Sequence, residues 1–531
     1  MNEKSAGRIP PWWERGVIYQ IYPRSFQDSD GDGVGDLRGI KQRLDYVAAL
    51  GVDAIWLSPV FPSPMADFGY DVADYTDIEP MFGTIEDFDR LVAAAHRRGL
   101  KLLLDFVPNH SSDRHPWFVD SRASKGSAKR DWYIWAPPGP DGGPPNNWIS
   151  DFGGSSWEWD EASGEYYLHA FLKEQPDLNW RNPDVQAAMF DVMRFWFDRG
   201  VDGFRIDVLW HIVKAEGFPD NPVNPYWHDR LGQRDMLIQR HSTDQPEAHA
   251  IAAEMRRLAD SYGDRLLVGE IFLPNDRLCA WYGNDERPEV HLPFNFALIE
   301  NAWNAETIGR LVADYEAALP PGGWPNWVYG SHDAARIAAR IGEAQARVAA
   351  MLLLTLRGTP TLYQGDELGI GRVEIPADRI RDPRELREPG LGLGRDWSRT
   401  PMPWTGDAPF AGFSSVEPWL PLNGDWQTRN VANQEADRGS MLWLYRDLLA
   451  LRRQRTALAL GDYQGVSAAG DLLVFDRISG TERLRIALNL GEVETGFVRE
   501  GACLLSTLGN EADRDVLRPN EGIIIDLGAV A

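Results

Sequence analysis

The 531 residues predict an α/β chain: a (β/α)₈ barrel, an irregular subdomain inserted after its third strand, and a C-terminal antiparallel β-domain. Three observations predict this. Buried-strand and helical patterns alternate along most of the chain and add up to eight βα units. Between residues 109 and 176 the alternation stops, in a stretch rich in Trp, Gly, Pro and Ser (PPGPDGGPPNNW, DFGGSSWEWDE) with no long helical period. Beyond residue 461 short alternating strands take over (DLLVFDR, RLRIALNL, GIIIDL). The expected divisions are 1–108 and 177–458 for the two parts of the barrel, 109–176 for the insert and 459–531 for the β-domain.

Taken in order, residues 16–26 (GVIYQIYPRSF) form the first strand. Residues 28–37, DSDGDGVGDL, alternate Asp28, Asp30 and Asp32 ahead of Gly33 and add Asp36. Four carboxylates so close together repel one another unless a hard cation holds them. The loop begins like an EF-hand but has Gly39 where the bidentate Glu would stand. The expectation is a structural calcium or magnesium loop using Asp28, Asp30, Asp32, Asp36 and the Val34 carbonyl. A helix over 37–51, a strand over 54–60, a helix over 85–99 and the strand KLLLDFVPNH, ending at His110, follow. After the insert, a helix over 182–200 restores the pattern and leads into VDGFRIDVLWH, residues 201–211. A helix over 248–262, then RLLVGEI, HLPFNFAL, NWVYGSHD and TPTLYQGDE, supply the remaining strands. A polar loop, 371–439, precedes the eighth helix over 440–453.

Composition narrows the function. A net charge of −25 argues against nucleic acid and anionic membranes as partners. The 22 Trp and 16 Tyr suit the apolar faces of sugar rings as well as a core. Cys279 and Cys503 stand far apart in no metal-ligand spacing, which argues against a disulfide framework and fits a reducing, cytoplasmic compartment. The N-terminal MNEKSAGRIPPWW has no apolar core of a secretory signal, and the longest apolar run, 348–356, is too short to span a bilayer. The oligomeric state is not legible.

Barrel strands point their C-terminal ends into one pocket. Those ends carry His110, Asp207, Glu270, His332 and Asp333, a set that core packing does not account for. Arg205 and Asp207, two apart on a strand, share a face, so the guanidinium is expected to keep the carboxylate ionised. An ionised carboxylate at a buried strand end is a natural nucleophile.

The motifs DFVPNH, QPDLNW, GFRIDV, VGEI and SHD, in this order, resemble the α-amylase family of glycoside hydrolases. YQIYPRSFQDSDGDGVGDLRGI, QPDLNW and SRTPMPW resemble its α-glucosidase and oligo-1,6-glucosidase branch. The resemblance covers nearly the whole chain. It implies a retaining, exo-acting α-glucosidase on short oligosaccharides that works through a covalent glucosyl-enzyme, with transglucosylation when a sugar replaces water. Asp207 would be the nucleophile, with a low pKa. Glu270 would be the acid and base, with a raised one, and Asp333 would grip the sugar hydroxyls. It further implies hydroxyl binding by His110 and His332, stacking of Tyr70 on the ring, and an Asp67–Arg399 pair closing the pocket. Arg205 and Phe171 would line it. No organic cofactor is implied, and the first-loop Asp cluster matches the branch's metal loop. Ser331 stands where the family commonly has Asn, and Trp397 where the branch often has a small residue. Val208 resembles the α-1,6-preferring enzymes.

A glucosyl transferase or isomerase, such as a trehalose or isomaltulose synthase, uses the same chemistry, and product analysis separates it. A non-catalytic scaffold resembling the amino-acid transporter heavy chains is a different class. Such proteins tend to lose the catalytic carboxylates, all three of which are present here.

Overall fold

A computed structural model describes residues 9–509 and 515–529. Residues 1–8, which begin the segment read as having no signal-like core, lie outside the described residues, as do parts of the expected β-domain. The barrel strands are Ile18–Ile21, Ala54–Leu57, Lys101–Phe106, Gly203–Ile206, Leu266–Gly269, Leu292–Pro293, Asn326–Val328 and Thr359–Tyr363, all paired in parallel. The first strand pairs the eighth, Ile18 opposite Thr361, and a parallel bridge between Asn295 and Trp327 joins the sixth to the seventh, so the sheet closes. Almost every strand residue is buried, as parallel strands with helices outside and side chains inside must be.

The barrel interior is packed by Ile18, Trp56, Leu103, Val268, Phe294 and Val328, with Trp13 from the short helix Trp12–Arg15 joining the same cluster. Gly203 opens the fourth strand for a steric reason. A Cβ there would lie 2.1 Å from the Leu266 carbonyl oxygen and 2.7 Å from Leu103, so only glycine lets the fourth and fifth strands pair closely.

Helix starts follow their capping residues. Asn182 accepts from the Asp184 N–H to open Pro183–Asp198, and Ser440 accepts from the Trp443 N–H to open Met441–Gln454. Thr84 and Asp87 form a reciprocal capping box at the start of Ile85–His96. The helix expected over 37–51 is two helices, Leu37–Gln42 and Leu44–Leu50. Arg43, with its φ of −99° and ψ of 4°, breaks the helical run between them. Its guanidinium instead sits over Trp404 and donates to Gln27.

Within the stretch after the third strand lie the helix Pro116–Ala123 and a small antiparallel sheet of Trp135–Ala136, Trp157–Asp160 and Glu165–Leu168. Toward the C-terminus a five-stranded antiparallel sheet runs from Asp462–Ala469 to Gly522–Ala529. Its inner residues Leu473, Phe475, Leu484 and Ile486 belong to the same apolar cluster as the barrel helices. No helix among the described residues is long and apolar enough to cross a membrane.

Candidate active site

The third, fourth and fifth strands bring Asp105, Arg205, Asp207 and Glu270 together. Arg205 stands inside the barrel, 3% exposed, and its Nη1 donates to Asp105 at 2.7 Å and to Asp207 at 2.6 Å. Its Nη2 lies 2.7 Å from Glu270 Oε2, which also accepts from the Val208 N–H at 2.8 Å. That N–H is aimed by strain. Val208 is β-branched yet has φ +36°, a left-handed conformation that such residues avoid and that clusters at functional sites.

The expected asymmetry between these two carboxyls is corrected by the structure. Burial raises Asp207 well above the usual carboxylate range and raises Glu270 as well, while Arg205 opposes both shifts. Arg205 does not belong to Asp207 alone, because it is divided among three carboxylates. Burial also pushes Asp105 up, to about 7. Two carboxyls competing for one buried guanidinium favour a proton on one of them.

Asp333 behaves oppositely. Burial works against its charge, but His332, Arg395 and Arg399 outweigh it and hold the carboxyl well below its usual range. Burial lowers His332 to about 4, so above that pH the two guanidiniums keep Asp333 ionised. They do so at 3.1 Å from Arg395 Nη1 and 2.8 Å from Arg399 Nη2. The neutral His332 has a defined tautomer: Gln20 donates to Nδ1 at 2.7 Å, so the proton on Nε2 faces Tyr70 Oη at 2.6 Å and Asp333 at 3.0 Å. Ser331, the departure from the family's Asn, accepts from the Asp333 N–H at 3.1 Å.

These groups face a cavity of about 530 Å³. Asp67, Tyr70, His110, Phe171, Arg205, Asp207, Glu270 and Asp333 line it, and Val208 does too. Burial lowers His110 to about 4, leaving a neutral imidazole. Two expectations are corrected. Arg399 is fully buried behind the wall, where it orders Asp333 and the His332 carbonyl; the partner of Asp67 is Arg395, at 2.7 Å. His332 likewise stands behind Tyr70, its ring stacked 5.4 Å away, and is not among the lining side chains. Trp397 turns back onto its own loop, donating to the Gly394 carbonyl, and does not line the cavity.

Sequence reasoning missed Arg395, which is held by Asp67, Asp382 and Asp333 at once. Its signal was the GRD just before SRTPMPW. It also missed Lys214, buried seven residues after Asp207 and bonded to Asp177 at 2.5 Å and Asn109 at 2.7 Å. Lys214 thereby ties the loop after the fourth strand to the backbone that carries His110.

In the first loop, Asp28, Asp30 and Asp36 bring carboxylate oxygens within 4.8 Å of one another. Asp32 lies outside that group, contrary to expectation, because its carboxylate accepts from the Val34 N–H at 2.7 Å. The two cysteines are unpaired.

An eight-stranded parallel barrel with three carboxylates and a buried arginine at its strand ends, opening on a polar and aromatic cavity, is the architecture of a barrel glycoside hydrolase. The family profile "Alpha amylase, catalytic domain" matches residues 20–461, and the chain belongs to that family. A probable alpha-glucosidase of Rhizobium meliloti is 43% identical over 93% of this chain and 92% of its own length. The oligo-1,6-glucosidase of Heyndrickxia coagulans is 38% identical over 97% and 99%. Among solved structures, the alpha-glucosyl transfer enzyme XgtA superposes with a TM-score of 0.92 at 40% identity, covering 98% of this chain and all of that one.

Proposed function

We propose that this glycosidase is a retaining, exo-acting α-glucosidase of short oligosaccharides, able to pass glucose to a sugar acceptor as well as to water. The observation that carries the reading is Asp207 and Glu270 held on one shared guanidinium, that of Arg205, and facing a cavity walled by the Asp67–Arg395 ion pair. Retaining chemistry needs two carboxyls about 5–5.5 Å apart with a sugar between them, one ionised and one protonated. A pair sharing one proton supplies that stoichiometry.

Asp207 attacks the anomeric carbon, and Glu270 delivers the proton to the leaving oxygen. Oε2 of Glu270 is engaged by Arg205 and Val208, so Oε1 is the oxygen that carries this proton. Glu270 then takes a proton from water, or from an acceptor hydroxyl, as the glucosyl-enzyme is cleaved. Asp333, held ionised by Arg395 and Arg399, grips hydroxyls of the flattening ring, while His110, Tyr70 and Phe171 position it. His332 acts through Tyr70 and Asp333. The Asp67–Arg395 pair closes the end that receives the non-reducing sugar, which favours release of one glucose at a time.

The first-loop carboxylates of Asp28, Asp30 and Asp36, with the Val34 carbonyl, fit a hard divalent cation, calcium or magnesium. Its role would be to hold the loop against the neighbouring Ser414 segment, which donates to Asp28 at 2.6 Å. The unpaired cysteines fit a reducing compartment, and we place the protein in the cytoplasm.

The test is a panel of maltose, isomaltose, sucrose and trehalose with every product analysed. Glucose should appear first as its α-anomer by NMR, with rearranged disaccharide a minor product. β-Glucose as the first product overturns retention, and rearranged disaccharide without free glucose assigns the chain to the isomerases instead. The pair also fixes a pH dependence. Activity needs the shared proton, so kcat/KM falls as pH rises through the raised pKa of the pair. With an activated aryl glucoside, whose leaving group needs no proton, Glu270→Gln should abolish that alkaline limb for the glucosylation step. Its persistence would place the titrating group elsewhere.

A further inference from the structure

The same cavity carries a positive charge that the proposed chemistry does not use. Arg234, from the long loop after the fourth strand, and Arg384, from the short helix Pro383–Arg387, both line it. Asp151 is the carboxylate that both guanidiniums act on. Arg234 Nε engages Asp151 directly, and Arg234 Nη1 reaches only as far as Asp235, at 3.8 Å. Arg384 has no side-chain hydrogen bond or ion pair among the described residues, and its Nε is buried without a partner. Asp151 and, at longer range, Asp235 offset the charge of Arg234, while Arg384 has no carboxylate within ion-pair distance among the described residues. A buried donor with no acceptor is a costly feature to keep, unless something that enters the cavity supplies one.

The cavity is also lined by Phe272, 42% exposed, which stacks on Phe296 with ring centroids 3.9 Å apart, and by Phe294 and Ile299. The space therefore combines an apolar surface with a fork of donors, a combination that recognises a ring bearing an anionic group.

We propose that Arg384, supported by Arg234, forms an anion-binding subsite for the aglycone or acceptor, so that α-glucosides whose leaving part bears a carboxylate or phosphate are preferred over their neutral counterparts. This rests on the α-glucosidase reading, because it assigns the leaving part of that same reaction. Guanidinium forks pair with both anions, and a planar aromatic carboxylate would also meet the Phe272–Phe296 surface.

The test compares 4-carboxyphenyl α-glucoside with its methyl ester, and maltose phosphorylated on its reducing sugar with plain maltose. Wild-type enzyme and Arg384→Gln are assayed at low and high salt. The acid-to-ester or phosphate-to-neutral ratio of kcat/KM should fall at least tenfold in Arg384→Gln, and high salt should shrink it in the wild type. Whichever pair responds more strongly identifies the anion. Ratios that the substitution leaves unchanged in both pairs overturn the subsite.

Binding of 4-hydroxybenzoate, followed by NMR titration of wild type and Arg384→Gln, reads the subsite without turnover. Binding weakened by the substitution supports it, and equal binding overturns it. Absence of hydrolysis of the neutral ester and of maltose together would instead count against the α-glucosidase reading, with the titration still deciding the subsite.

Discussion

Asp207→Asn will leave a folded barrel whose turnover is reduced by a factor on the order of 10⁴ to 10⁶, the scale seen when a covalent nucleophile is removed from an otherwise intact site. The amide keeps the shape of the carboxyl but cannot form the glucosyl ester. The fold should not suffer, because Arg205 keeps two of its three carboxylate partners, Asp105 at 2.7 Å and Glu270 at 2.7 Å. Stability should change little, since the amide keeps the carboxyl's shape and the pair already carries one proton. The measurements are single-turnover kinetics with an activated aryl glucoside, and thermal unfolding alongside. Turnover within tenfold of wild type would remove Asp207 from the nucleophile's role. A melting temperature well below wild type would show that the carboxylate is needed to hold Arg205 in place.

Arg205→Met should have the largest effect on stability. Arg205 is 3% exposed and is the guanidinium on which Asp105, Asp207 and Glu270 converge. Removing one partner of a buried ionic cluster costs about 3–5 kcal/mol, because the remaining charges stay buried and uncompensated. The loss should depend on pH in a definite direction. Without Arg205 the three folded-state carboxyls, already raised by burial, rise further above their unfolded values. A carboxyl raised in the folded state binds protons more tightly there, so the variant regains stability as pH falls and loses it as pH rises. Urea denaturation at about pH 5 and about pH 7.5 should show the gap to wild type narrowing at the lower pH. A gap that widens on acidification would mean that the three carboxyls are not the source of the loss.

The positions of the clustered carboxyls were legible in the sequence because they follow from strand periodicity. Asp207 and Glu270 stand just past the ends of Gly203–Ile206 and Leu266–Gly269, and a parallel barrel has no other place to put them than its C-terminal rim. Helix starts were legible at Asn182 and Ser440, since capping is a local hydrogen bond within one turn. The Asp67 partner was not. Arg395 and Arg399 sit four residues apart in one irregular loop, and both reach Asp333; only the path of that loop, through the turn Asp396–Ser398, decides which of them also reaches Asp67.

The protonation of the Asp207–Glu270 pair divides the same way. The sequence by itself determined that Arg205 and Asp207 share a strand face, because side chains two apart on a strand must. It had no means of showing that Asp105, a hundred residues earlier, and Glu270, more than sixty later, claim the same guanidinium. Electrostatic energy depends on distance through space and on burial, neither of which is a property of neighbours along the chain. The barrel's closure set the acidity of Asp207, while its place at the strand end was already written in the sequence.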